Sequence, residues 1–186
     1  MATIFTHALA AAGLGQAGKA RWRKDWRFWY IAVLCSILPD VDVLGFRFGI
    51  HYGDLWGHRG MTHSLLFAAV VAVVMAFRFK YPAPDRWTVG LLFFIITASH
   101  GLMDAMTNGG LGVAFFSPFD RTRYFLPWTP VQVSPIGAGG FFSGRGLEVI
   151  WSEMVWLWGP IIVVGAVLYV LNVWRGRKSA HLEELP

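Results

Sequence analysis

The side chains best suited to chemistry lie close together in His58-Arg59-Gly60-Met61-Thr62-His63-Ser64, with Pro39-Asp40-Val41-Asp42 shortly before. Two imidazoles, a guanidinium and two hydroxyls there run straight into Leu65 to Phe79, which is almost wholly apolar. His100 and Asp104 are spaced i, i+4, so both project from one helical face and can reach one ion. His58 and His63 are five apart, about 140° round a helix, so the first comes from a loop and the second from a first helical turn. With His7 the candidate ligand set is His7, Asp40, Asp42, His58, His63, His100 and Asp104. Nitrogen and oxygen donors without sulfur suit Zn²⁺, Mn²⁺ or Fe²⁺ better than Cu(I) or a cluster, and zinc is the expected ion. One ion takes three or four of these groups and leaves the rest to orient them. Two ions could share the whole set through a bridging Asp.

Taken singly, each group has a plainer explanation. His7 reads as a packing histidine bonded to a backbone carbonyl, Asp40 and Asp42 as solvated acids at a helix end, and His-x-x-x-Asp as a surface hydrogen bond. The solvent changes that judgement. In a chain of 186 residues, 55% are hydrophobic, with ten Trp and fifteen Phe, which is too apolar for an ordinary soluble domain and points to a membrane. Ionisable groups inside a membrane span usually face a cavity and carry function. The net charge of +5 sits in short clusters between apolar runs, which argues for the positive-inside rule and against nucleic-acid binding. Cys35, the single cysteine, allows neither an internal disulfide nor a cysteine zinc knuckle.

The elements that must position these groups read as an all-α, polytopic bundle of about five transmembrane helices in one domain, near 4–18, 28–44, 62–79, 87–106 and 154–174. A long outer loop, 107–153, joins the last two. Pro39 ends the second helix, Thr62 reads as the N-cap of the third, and His181, Glu183 and Glu184 fall in a tail expected to be disordered. If the basic clusters at 19–27, 78–86 and 175–178 share the cytoplasmic side, five crossings follow. The candidate ligands, together with Glu153, then gather in one layer at the opposite, periplasmic or outer, end of the helices.

Thr6-His7, Pro39-Asp40-Val41-Asp42, the run His58 to Ser64 and His100-Gly101-Leu102-Met103-Asp104 together resemble the signature of the YdjM-like family. These are bacterial inner-membrane proteins described as LexA-regulated, metal-dependent hydrolases. The resemblance covers most of the chain, including Ser117-Pro118-Phe119 to Ser134-Pro135-Ile136. It implies a multi-pass protein of the bacterial inner membrane with a metal-dependent hydrolase activity.

On this reading the ion activates a water, Asp42 or Asp40 accepts its proton, and an ester or phosphoester of a lipid or lipid-linked substrate is cleaved. Arg59 either stabilises developing negative charge or balances Asp40 or Asp42. Thr62 and Ser64 read as caps or hydrogen-bond donors behind the ligands, and Glu153 as an additional ligand or base. Arg121 and Arg123 could bind a substrate phosphate. The competing readings are a transporter of divalent metal or protons, and a non-catalytic scaffold held together by metal.

Overall fold

The computed structural model describes residues 1–79, 81–142 and 144–183. Its regular elements are all helical, and no strand longer than an isolated bridge occurs among the described residues. The central element is α5, Asp85–Ala105, whose buried residues run from Asp85 through Val89, Phe93 and Ile96 to His100 and Asp104. Around it pack α1 (Ile4–Gly15), α3 (Trp26–Ile37) and α4 (Leu65–Arg78), with the short α2 (Ala20–Arg23) between the first two. Trp22, Phe28, Phe79 and Phe93 form the aromatic core at one end. Lys19 and Arg21 both pair there with Asp85 at the start of α5.

Among the described residues, two helices are long and apolar enough to cross a membrane: Asp85–Ala105, with mean hydropathy 1.4, and the continuous stretch Arg145–Arg177, with mean hydropathy 2.2. Only 11% of the apolar window in the second is buried, so it offers its side chains outward along nearly its whole length, as lipid solvation requires. The helices expected at 4–18, 28–44 and 62–79 are shorter, at 12, 12 and 14 residues. At 1.5 Å per residue each reaches only about 18–21 Å, against a hydrocarbon core of about 30 Å. The expected five full crossings thus become two helices of spanning length with three shorter ones packed beside them.

The departures have local causes. Pro39 stops α3, and the chain continues as a 3-10 helix, Leu38–Phe48, closed by Gly49 at φ +77°. Ser64, rather than Thr62, caps α4: its side chain accepts the Phe67 N–H, while Thr62 lies in a separate 3-10 turn, Met61–His63. The segment after α5 holds the short α6 (Ala138–Phe141), and α7 (Arg145–Glu153) passes through a π-helical turn, Met154–Trp158, into α8 (Gly159–Glu183). Pro160, which cannot donate a backbone hydrogen bond, lies just beyond the widened turn. α8 runs past the predicted end at Trp174 and takes in His181 and Glu183, correcting the expected disordered tail; Glu184 lies outside the described residues.

Glu153 is fully buried at the start of α1, where its carboxylate accepts Thr3 N and Thr3 Oγ1 at 2.5 Å and Thr6 Oγ1 at 2.7 Å. A negative group at a helix N-terminus also meets the positive end of the helix dipole. Glu153→Ala would strand three buried donors and lower stability by about 2–4 kcal/mol. Thermal unfolding in detergent should register the loss, and Glu153→Gln, which keeps an acceptor, should lose less.

Candidate metal centre

Four elements converge at the far end of α5. His100 and Asp104 project from its last turns, α1 supplies His7, the 3-10 segment supplies Asp40 and Asp42, and the turn before α4 supplies His63. Gly101 permits the approach, because a Cβ there would meet the His63 carbonyl oxygen at 3.1 Å. Gly60 is equally required: a Cβ would collide with the carbonyl oxygens of Leu55 and Gly57 in the loop carrying His58.

Asp40, His63, His100 and Asp104 present one candidate ligand atom each, all within 4.8 Å of one another. His63 Nε2 lies 3.1 Å from His100 Nε2 and 3.7 Å from Asp104 Oδ2. Asp40 Oδ1 is 3.3 Å from His100 Nε2 and 3.6 Å from His63 Nε2. Tetrahedral ligands bonded at about 2.0–2.1 Å stand roughly 3.3 Å apart, so these spacings suit a divalent ion. His7 stands at the edge, stacked on His100 at 3.7 Å between ring centroids, with its Nε2 3.6 Å from Asp104 Oδ1.

The opposite nitrogens are already engaged. His100 Nδ1 is 2.7 Å from the Ser36 carbonyl oxygen, and His63 Nδ1 is 3.1 Å from Asp42 Oδ2. Such contacts fix the tautomer that leaves Nε2 free for an ion. Asp42 also accepts His58 Nδ1 at 2.8 Å, Thr62 Oγ1 at 2.6 Å and Arg59 N at 3.2 Å. Its oxygens are thus filled by donors, and it acts behind the ligands. His58, His63 and Asp42 nevertheless form a second group of metal-type spacing that shares His63 with the first.

Buried polar atoms normally have partners. His7 Nδ1 and Nε2, Asp40 Oδ1 and His58 Nε2 are buried without one. A cluster of nitrogen and carboxylate donors with unfilled atoms at its centre is what a divalent ion would complete. The electrostatics agree. Burial disfavours a protonated His63, yet the carboxylates of Asp40 and Asp42 beside its two nitrogens outweigh it and push its pKa up to about 9. Burial likewise works against an ionised Asp42, but His58 and His63 hold its pKa down to about 2. Without an ion, the pocket takes a proton at His63.

The arginines and Glu153 have other partners. Arg59 is fully buried at φ +62°, in the left-handed region. It donates from Nε to Asp104 Oδ2 at 3.0 Å, and at 2.9 Å to Gly109 O and to Thr107 Oγ1. It therefore balances Asp104, where the sequence suggested Asp40 or Asp42. Arg123 donates to the carbonyls of His58, Tyr52 and Asp54, bracing the loop from outside, while Arg121 is exposed. Ser64 serves as the α4 cap and Glu153 as the α1 clamp, so neither joins the cluster. Unforeseen contributors are Ser36 and Gly109, which act through backbone carbonyls that residue type does not reveal, together with Thr107 and the Ala2 N–H, which donates to Asp104 Oδ1 at 2.7 Å.

Fold and site together define a helical membrane protein with a buried His/Asp cluster of metal-binding geometry. The profile of the YdjM inner membrane protein family matches residues 1–178, and the chain belongs to that family. It is 37% identical to the inner membrane protein YbcI of Escherichia coli K12, over 95% of this chain and 100% of the relative. It is also 34% identical to the inner membrane protein YdjM of the same organism and of Shigella flexneri, over 55% of each chain. No solved structure matches it significantly.

A divalent ion must displace the His63 proton to bind. Zinc affinity should therefore rise about tenfold per unit from pH ~6 toward ~9 and then level off. Titration calorimetry in buffers of different ionisation enthalpy should show about one proton released per ion. Asp42→Asn should weaken zinc binding about 10–100-fold through loss of the orienting contact.

Proposed function

We propose that the chain is a metal-dependent hydrolase of the bacterial inner membrane, cleaving an ester or phosphoester of a lipid or lipid-linked substrate. The observation that carries this reading is the cluster Asp40, His63, His100 and Asp104, three of them buried and Asp40 Oδ1 left without a partner, at one end of an apolar helix. His63, His100 and Asp104, with Asp40 beside them, would hold one divalent ion, zinc on donor type with manganese or iron as substitutes; a second ion at His58 would require Asp42 to give up donors it now accepts. Such an ion supplies Lewis acidity and makes a water acidic enough to attack near neutral pH.

The protein's own groups divide the remaining work. With the ion on His63, His100 and Asp104, Asp40 would be left to take the proton of the attacking water and return it to the departing alkoxide, a role closed to Asp42, whose oxygens already accept from His58 and Thr62. Asp42 holds His58 and His63 in orientation. Arg59 holds Asp104 in place through its Nε–H. Exposed Arg121 is free to meet a phosphate at the surface, whereas Arg123 reaches one only by giving up carbonyl contacts. A multi-pass arrangement with the centre toward the periplasm places it within reach of headgroups in the outer leaflet.

Elemental analysis of purified wild-type protein should find about one to two ions per chain, and His63→Ala and Asp104→Ala should lose them. The same substitutions should lower hydrolysis of a phospholipid and phosphoester panel by roughly 100-fold or more. A protein that binds metal and hydrolyses nothing in the panel would instead be a scaffold. Metal or proton flux in proteoliposomes would make it a transporter, against which stands the absence of ionisable side chains between Arg86 and His100 on α5.

A further inference from the structure

α3 and α4 both pack against α5 and leave a groove of about 540 Å³ between them, which begins at the end of the fold away from the metal centre and runs along α3 to Leu38. One end is cationic and aromatic: Arg27 and Arg78 face it from the two helices, with Trp26 and Tyr30 exposed beside them. From there the walls become apolar, through Ile31, Leu34, Leu38 and Met75. Among the described residues lining the groove and an adjoining cavity of about 270 Å³ that shares both arginines, the one acid is Asp25, the α3 N-cap.

The dimensions select an occupant. From Arg27 to Leu38 the helical rise is about 16 Å, close to the half-thickness, about 15 Å, of a bilayer's hydrocarbon core. The groove is thus one acyl chain deep, apolar along its length and headed by two guanidinium groups at the depth where Trp and Tyr meet headgroups. Guanidinium forks match phosphate oxygens geometrically, and basic pockets between membrane helices suit anionic headgroups. With one carboxylate against two arginines, the local balance favours a headgroup of net negative charge over a zwitterionic one.

We infer that the α3/α4 groove is a binding site for an anionic phospholipid, its phosphate held by Arg27 and Arg78 and one chain lying against Leu34, Leu38 and Met75. Its headgroup end lies away from the metal centre, and none of its lining residues belongs to the candidate ligands.

Native mass spectrometry of the full chain in detergent, titrated with phosphatidylglycerol, phosphatidylcholine or inorganic phosphate, tests it. Phosphatidylglycerol should bind about tenfold or more tightly than phosphatidylcholine, as two arginines near a headgroup supply. The Arg27→Gln/Arg78→Gln double variant should reduce that preference to about twofold or less, whereas Arg145→Gln should leave it intact. Leu34→Trp, which fills the groove, should weaken both lipids alike. All four substituted positions are exposed in the fold, and circular dichroism will verify helix content. Equal affinity for the two lipids, or a preference surviving the double variant, would overturn the site. Displacement of phosphatidylglycerol by equimolar phosphate, or indifference to Leu34→Trp, would overturn the chain-binding groove.

Discussion

The structure depends on burying the Asp104 carboxylate completely while giving its oxygens donors. Removing such a group from water costs several kcal/mol unless its lone pairs are filled by good donors. Asp104 is fully buried, and its donors come from distant parts of the chain: Ala2 N on one oxygen and Arg59 Nε on the other, with His7 and His63 standing 3.6 and 3.7 Å away. One acid at the end of α5 thereby dictates where the start of α1, the 58–63 segment and the chain after α5 must lie.

Arg59 carries that constraint outward. Its buried charge needs as many acceptors as Asp104 needs donors, and the segment after α5 supplies them through Thr107 and Gly109. Reaching them while its N–H meets Asp42 accompanies a left-handed backbone at a non-glycine residue, which is uncommon and costly. Arg123 grips the carbonyls of the same loop from its outer side. The loop is held between two arginines, one facing the cluster and one facing away, so the histidines it delivers need no helix of their own.

Much of this was legible in the residues. The i, i+4 pair on α5 needed only helical geometry, and the need for a loop-to-helix junction at His63 followed from a five-residue spacing. Whether a polar group ligates or supports was harder to read. Thr62 and Ser64 are both hydroxyls two residues apart, and only the backbone decides that Ser64 caps α4 while Thr62 donates to Asp42. Glu153 beside a span looks the same whether it serves an ion or the start of another helix. Helix lengths were overestimated for α1 and α3 because apolar content extends beyond the residues that keep helical hydrogen bonding; at α3, Pro39 converts the continuation to a 3-10 path.

The clamp between Glu153 and the start of α1 also bears on how the molecule is made. Its hydrogen bonds join residues 147 and 150 positions apart, and the Ala2 to Asp104 bond spans 102. Contacts between such distant parts of a chain close late, and during synthesis α1 is complete long before its partners exist. The first helix must therefore wait, with His7, Thr3 and Thr6 satisfied by temporary partners, until α5 and then α7 arrive. Assembly of the cluster and anchoring of the N-terminal helix are then one late event, and premature binding of an ion to the first histidines would compete with it.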